Sequence, residues 1–285
     1  MKQRNQLKHI RSLTKRNKTI PAKLKPKLAN LGNIKAIFFD VYGCLVSQTN
    51  NPLYRITALE KQTAIWETLK DTGLDKNLTV TPQKLIYLFE SQINHNRKKA
   101  KRIGINFPEI DIREIWKTLL PNAEQNEIEH IAIGYECRIN PVWPMQNAIK
   151  TVAALFPKYL LGIISNAQFY TPLILKSFMF EPFFKSEICF WSYQYKIAKP
   201  STKLYNIAAD HILRYYGIPS KEILMVGNDM LNDIWTSQKI GFKGVLFAGD
   251  QTSLILHKTT KPIPSIPPEN IITDFSQLSK IPVFS

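Results

Sequence analysis

Apolar residues in this chain follow two patterns. Short runs rich in β-branched and aromatic residues recur at Ile34–Phe39 (interrupted by Lys35), Tyr159–Ile164 and Ile223–Val226. Runs of this kind predict strands covered on both faces, as in a parallel sheet. Gly241–Phe247 predicts a further, edge-ward strand, and Asn270–Leu278 a short closing strand and helix. Elsewhere the spacing is helical. In Ile56–Thr72, the residues Ile56, Leu59, Thr63, Trp66 and Leu69 share a face, and Pro82–Arg102, Ile110–Leu119 and Glu124–Glu136 continue the pattern between Gly73, Gly104, Pro108 and Pro121. Further helices are expected from Met145 to Phe156 and over Thr202–Tyr215, and a proline-rich loop over Lys261–Pro268.

The stretch Ser47–Pro141 is too long for one crossover helix and predicts a separate helical unit. Its aromatic residues Trp66, Tyr87, Phe89 and Trp116 are expected in that unit's core. The fold class is therefore α/β: a doubly wound, Rossmann-like parallel sheet with an inserted α-helical unit. The boundaries are 1–33 for an N-terminal extension, 34–46 and 142–285 for the core, and 47–141 for the insertion.

Each predicted strand ends in chemistry. The first is followed by Asp40-Val41-Tyr42-Gly43-Cys44, where Gly43 permits a sharp turn and close approach to a ligand. In open α/β sheets the carboxyl end of a strand is where ligands bind. The second is followed by Ser165 and Asn166, a hydroxyl and an amide able to bond an anionic oxygen without adding charge. Lys199, just before Pro200, is a point charge suited to phosphate or carboxylate. The third precedes Asp229 and Asp233, a spacing suited to a hard divalent cation such as Mg²⁺. Singly, these read as well as caps, turns and solvated faces. Their order, each at the polar end of an apolar run, gives them weight.

That ordered set resembles the haloacid dehalogenase (HAD) superfamily of hydrolases over roughly residues 34 to 275. The resemblance implies Asp40 as nucleophile, Ser165, Asn166, Gly43 and Cys44 around the substrate, and Lys199 neutralising charge. It also implies Mg²⁺ held by Asp40, the Tyr42 carbonyl, Asp229 and Asp233, with the helical insertion as a cap. Three positions depart from the family pattern. Tyr42 stands where phosphatases carry a second Asp that protonates the leaving group, and a phenol of pKa near 10 is a poor base at neutral pH. Asp-x-Tyr-Gly is the pattern of 2-haloacid dehalogenases, which use no metal. Asn228 stands where the first acid of the last motif usually lies, and Cys44 where a Thr does.

The expected function is thus a Mg²⁺-dependent phosphatase acting on a small phosphorylated substrate through an aspartyl-phosphate. The alternatives are carbon–halogen hydrolysis of the 2-haloacid dehalogenase type and a catalytically weak binding protein.

Composition narrows the setting. With 285 residues and 44% hydrophobic content, the chain is long enough for one full core and a smaller unit. No apolar run approaches a membrane span or the core of a secretory signal. Cys44, Cys137 and Cys189 are odd in number and widely spaced, which argues for a reducing, cytoplasmic setting. The formal net charge is +16, and ten of the 38 Lys and Arg lie in residues 1–33, without one acid. Such an extension suits nucleic acid or anionic lipid, or is a solvated arm, with Pro21–Pro26 as a flexible lead-in. A second basic cluster, Arg97–Arg102, is expected at a helix end, where it suits the dipole.

Overall fold

The computed structural model describes residues 2–16, 19–20, 22–48, 56–257 and 268–281. Lys18, Pro21, residues 49–55 of the insertion and the proline-rich loop up to residue 267 lie outside them.

Six strands make one sheet: β1 (Ala36–Phe39), β2 (Leu160–Ser165), β3 (Cys189–Trp191), β4 (Ile223–Gly227), β5 (Lys243–Phe247) and β6 (Asn270–Ile272). Their order is β3-β2-β1-β4-β5-β6, and every pairing is parallel. β1 is central, with Phe39 opposite Ile163 on β2 and Val226 on β4. All four of its residues are buried, because both sheet faces are covered. Ile37 and Phe39 face one core layer, which includes Val152 and Ile174, whereas Ala36 and Phe38 face another, with Leu204 and Ala208. The expected strand at Gly241–Phe247 is β5, one place inside the edge, which β6 and β3 occupy.

The helices are α1 (Lys2–Leu13), α2 (Ala58–Thr72), α3 (Pro82–Arg102), α4 (Ile112–Leu119), α5 (Gln125–Ile139), α6 (Ala148–Leu155), α7 (Thr171–Ser177), α8 (Ser192–Tyr195), α9 (Thr202–Tyr216) and α10 (Thr236–Lys239). Their ends follow local chemistry. Thr57 and Glu60 form a capping box on α2, Thr81 caps α3 ahead of Pro82, and Glu124 and Glu127 cap α5. The four helices α2–α5 bury a core of their own, with Ile65, Leu69, Leu85, Ile115 and Ile128 at its centre. Phe89 and Trp116 stack there, ring centroids 4.3 Å apart. Trp66 and Tyr87 do not join them: both are exposed, each beneath a lysine ammonium, Lys70 and Lys84 respectively.

The N-terminal segment is no loose arm. α1 packs on α5 and α7, with Ile10 fully buried and Arg11 Nε donating to the Ser177 carbonyl at 2.9 Å. Lys27, beyond the expected flexible lead-in, pairs with Ile271 of β6 through both main-chain groups at 2.9 Å. Among the described residues no helix is long and apolar enough to cross a membrane, and the three cysteines are unpaired and buried.

Candidate active site

The sheet order reverses between β2-β1 and β4, so the crevice beyond the carboxyl ends of these strands is the natural ligand site. A cavity of about 400 Å³ opens there, lined from the sheet side by Asp40, Asn166, Lys199, Asn228, Asp229 and Asp233. The helical insertion and its flanks supply the other wall, including Gln48, Arg97, Glu109, Glu136 and Asn140.

Asp40 leaves β1 with its N–H donating to the Val226 carbonyl at 3.0 Å. Gly43 then turns the chain at φ 81°, a left-handed conformation that a side chain would strain. A Cβ here would also lie 2.5 Å from Asn228 Nδ2, so the turn and the β4 loop are in close contact. Lys199 sits at the centre. Its Nζ donates to Asp40 Oδ1 at 2.8 Å, Asp233 Oδ1 at 2.6 Å and the Ile164 carbonyl at 3.1 Å. Burial alone would drive off the lysine's proton, but Asp233 and Asp40 outweigh it and hold the ammonium firmly charged. Burial raises the carboxyl of Asp233 against the pull of Lys199, with Asp40 and Asp229 adding to the rise.

The expected metal carboxylates are engaged elsewhere. Asp229 Oδ1 accepts from the N–H groups of Leu231 and Asn232, both at 2.8 Å, and pairs with His257 Nε2 at 2.7 Å, while Oδ2 accepts from Asn232 Nδ2 at 2.9 Å. It caps the π-helical turn Met230–Trp235. Asp233 Oδ2 accepts from the Asp229 N–H at 3.0 Å. Among the described residues no three His, Cys, Asp or Glu side chains converge for a metal ion. Asn228 is different: its Nδ2 donates to the Ser253 carbonyl at 2.6 Å, and its buried Oδ1 has no partner. The position that lacks the usual acid therefore holds a buried acceptor without a partner, packed against the Gly43 turn.

The remaining sequence-derived residues divide. Asn166 lines the cavity but uses both ends of its amide on the Lys199 main chain, accepting from its N–H at 2.7 Å and donating to its carbonyl at 3.1 Å. It positions the lysine. Ser165 is buried with an unpartnered Oγ. Cys44, expected beside the substrate, is fully buried, and its thiol donates to the Val226 carbonyl. Burial, then Asp40, pushes that thiol's pKa up, which makes it inert rather than reactive. The Tyr42 hydroxyl is 2.9 Å from Thr171 Oγ1, and burial carries its pKa well above 10.0.

Three cavity residues escaped the sequence reading. Glu109 receives the Ser192 hydroxyl at 2.8 Å and the Ile110 N–H at 3.0 Å. Gln168 Nε2 donates to the Ile110 carbonyl at 2.8 Å. Glu136 receives Asn140 Nδ2 at 3.0 Å and the Tyr170 hydroxyl, and burial raises its pKa despite both bonds. Its one sequence signal was an acid between Tyr135 and Cys137, on the apolar side of a helix. Of the basic cluster at the end of α3, Arg97 reaches the cavity rim, while Lys98, Lys99, Lys101 and Arg102 are exposed.

Comparison with known proteins agrees with this architecture. Residues 196–278 match the HAD-hydrolase-like family model. Among solved structures, a 2-haloacid dehalogenase from Pseudomonas syringae pv. Tomato DC3000 matches with TM-score 0.56 at 16% identity, covering 87% of this chain and 97% of that one. A HAD phosphatase from Thermococcus onnurineus matches at 0.53 and 16%, with the same coverage of 87% and 97%. An L-2-haloacid dehalogenase from Xanthobacter autotrophicus, with chloropropionic acid covalently bound, matches at 0.50 and 14%, again over 87% and 97%. No curated protein matches the sequence. The likeness is one of fold: the chain has the HAD-like hydrolase fold, which houses both chemistries.

Proposed function

We propose that this protein is a hydrolase that attacks with Asp40, and that its substrate is a small phosphoric monoester. The observation that carries the reading is the arrangement of Asp40. One of its oxygens is tied to Lys199, which leaves the other for attack into a cavity lined largely by hydrogen-bonding side chains. Such a wall suits an ester dense in oxygen better than a haloalkyl chain.

In the first half-reaction, an Asp40 oxygen attacks phosphorus in line, the bond to the leaving oxygen breaks, and an aspartyl-phosphate forms. Lys199 holds Asp40 in place through its 2.8 Å bond to Oδ1. Water then hydrolyses the acyl-phosphate. The donors present fit Mg²⁺. Asp40, the Tyr42 carbonyl and the unpartnered Oδ1 of Asn228 would hold it, one carboxylate and two neutral oxygens, a set that leaves coordination positions for waters and phosphate oxygens. When bound, the ion would offset charge on the phosphoryl group. The cap role belongs to α2–α5, whose inner wall would select the substrate.

A second reading, carbon–halogen hydrolysis, is favoured by one observation. Lys199 already pairs with both Asp40 and Asp233, and Tyr42 supplies no acid, which a departing halide does not need. The deciding assay is turnover of p-nitrophenyl phosphate with Mg²⁺, with EDTA, and by Asp40→Asn. Mg²⁺-dependent turnover abolished in the variant supports the phosphatase. Halide release from 2-chloropropionate in EDTA, with no phosphate release, would replace it with the dehalogenase.

A further inference from the structure

A phosphatase without an acid at position 42 must protonate its leaving group from elsewhere or lose slow esters altogether. The Tyr42 hydroxyl is committed to Thr171 at 2.9 Å. Of the other carboxyl groups on the cavity wall, Asp229 and Asp233 have both oxygens engaged. Glu109 and Glu136 are each held by two neutral donors, but Glu109 also feels the charge of Arg97, and it is Glu136 that stands beside the Asp40 loop. It projects from the last turn of α5, and that end of the helix is docked on the core beside the Asp40 loop. Cys137 and Ile133 join the same core cluster as Val41 and Leu45. The chain following α5 is also tied to the loop, with the Ser47 N–H donating to the Trp143 carbonyl at 2.8 Å and the Met145 N–H to the Leu45 carbonyl at 3.0 Å. The Asn140 amide and the Tyr170 hydroxyl hold the Glu136 carboxyl in place, and it borders the same cavity as Asp40 and Tyr42.

Building on the phosphatase reading, we propose that Glu136, supplied by the helical insertion, is the acid that protonates the leaving oxygen and then the base that activates water. In the first step the Asp40–phosphorus bond forms, the phosphorus–leaving-oxygen bond breaks, and the Glu136 proton passes to the leaving oxygen, releasing a neutral alcohol. In the second step the Glu136 carboxylate takes a proton from water as that water attacks phosphorus. The Asp40–phosphorus bond then breaks, phosphate leaves, and Glu136 is again protonated. Its surroundings suit the starting state. Burial favours the neutral carboxyl, and the titratable groups facing it among the described residues are Tyr42 from the Asp40 loop, Tyr170 ahead of α7, and Tyr135 and Cys137 on its own helix, all neutral at pH 7.

The test is a leaving-group series, 2,4-dinitrophenyl, p-nitrophenyl and phenyl phosphate, turned over by the Mg²⁺-supplied full chain and by Glu136→Gln. With acid catalysis, Glu136→Gln loses about 100-fold in kcat on phenyl phosphate and less than about threefold on the dinitrophenyl ester, which needs no proton. The wild-type kcat should fall with rising pH as Glu136 deprotonates, and that fall should be absent in Glu136→Gln. Glu136→Asp should recover part of the phenyl phosphate rate. An equal loss on all three esters would overturn the assignment while leaving the phosphatase reading intact. Should Glu136→Gln fail to fold, the wild-type series alone decides: a steep fall in rate with leaving-group basicity would refute an acid. No Asp40-dependent turnover of even the dinitrophenyl ester would overturn the phosphatase reading, and this assignment with it.

Discussion

The two walls of one cavity give their carboxyl groups different partners. On the sheet side, Asp40 and Asp233 share the ammonium of Lys199, and Asp229 is tied to His257 and to backbone N–H groups. On the insertion side, the hydrogen bonds that Glu136 receives among the described residues come from neutral donors, Asn140 and Tyr170, and burial raises its pKa. The contrast lies in what faces each carboxyl: a buried ammonium on the sheet side, an amide and a phenol around Glu136. The partners of each group decide its role, more than its residue type does.

The largest expected effect tests the sheet-side wall. Asp40→Asn removes the proposed nucleophile and should lower turnover by about 10⁴-fold or more, with the fold intact by circular dichroism. A variant retaining a tenth of the rate would remove Asp40 from the chemistry. Next comes the cation. Lys199 is almost completely buried between two carboxylates, so Lys199→Met should cost about 3–5 kcal/mol in urea unfolding, because it strands their charge. Adding Asp233→Asn should return part of that loss. If the double variant is no more stable than the single, the repulsion between the two carboxylates is not the cause. A smaller effect probes the junction of the Asp40 turn with the β4 loop. Gly43→Ala places a Cβ at φ 81° and against Asn228; it should cost about 1–2 kcal/mol and weaken Mg²⁺ binding by calorimetry. Unchanged binding would show that Asn228 holds no metal.

The sequence made the sheet-side wall legible and the insertion-side wall opaque, for physical reasons. Asp40, Lys199 and Asp233 lie at the ends of apolar runs whose burial is a local property, so their convergence follows from the order of the strands. The helices of the insertion were legible too, from periodicity and from caps such as Thr81-Pro82. β3, only three residues long, offered too little pattern. The burial of Ile10 and the partners of Asp229 are tertiary facts, as is the π-helical turn that Asp229 caps. Trp66 and Tyr87 sit on helices with the right spacing, yet their lysine neighbours let them remain at the surface. Asn228 and Glu136 carry polar groups whose meaning depends on which oxygen a distant residue leaves open.

The smallest effect sharpens the contrast without any substrate. In the unfolded chain Glu136 ionises near about 4.3, whereas in the native state burial raises its pKa above that value. Across the window between the two, the native protein holds a proton that the unfolded chain has released, so stability falls as pH rises. Below the window, at pH 4 and under, the group is mostly neutral in both states and adds no such slope. Gln at this position carries no proton to lose. The difference in unfolding free energy, Glu136→Gln minus wild type, should therefore rise between pH 4 and pH 8. Tyr42, Tyr170, Cys137 and the carboxylates across the cavity are common to both proteins and largely cancel in that difference. Urea titrations at the two pH values measure it. A difference that stays flat, or falls, would mean that Glu136 is ionised in the native state, and the two walls would then differ in position alone.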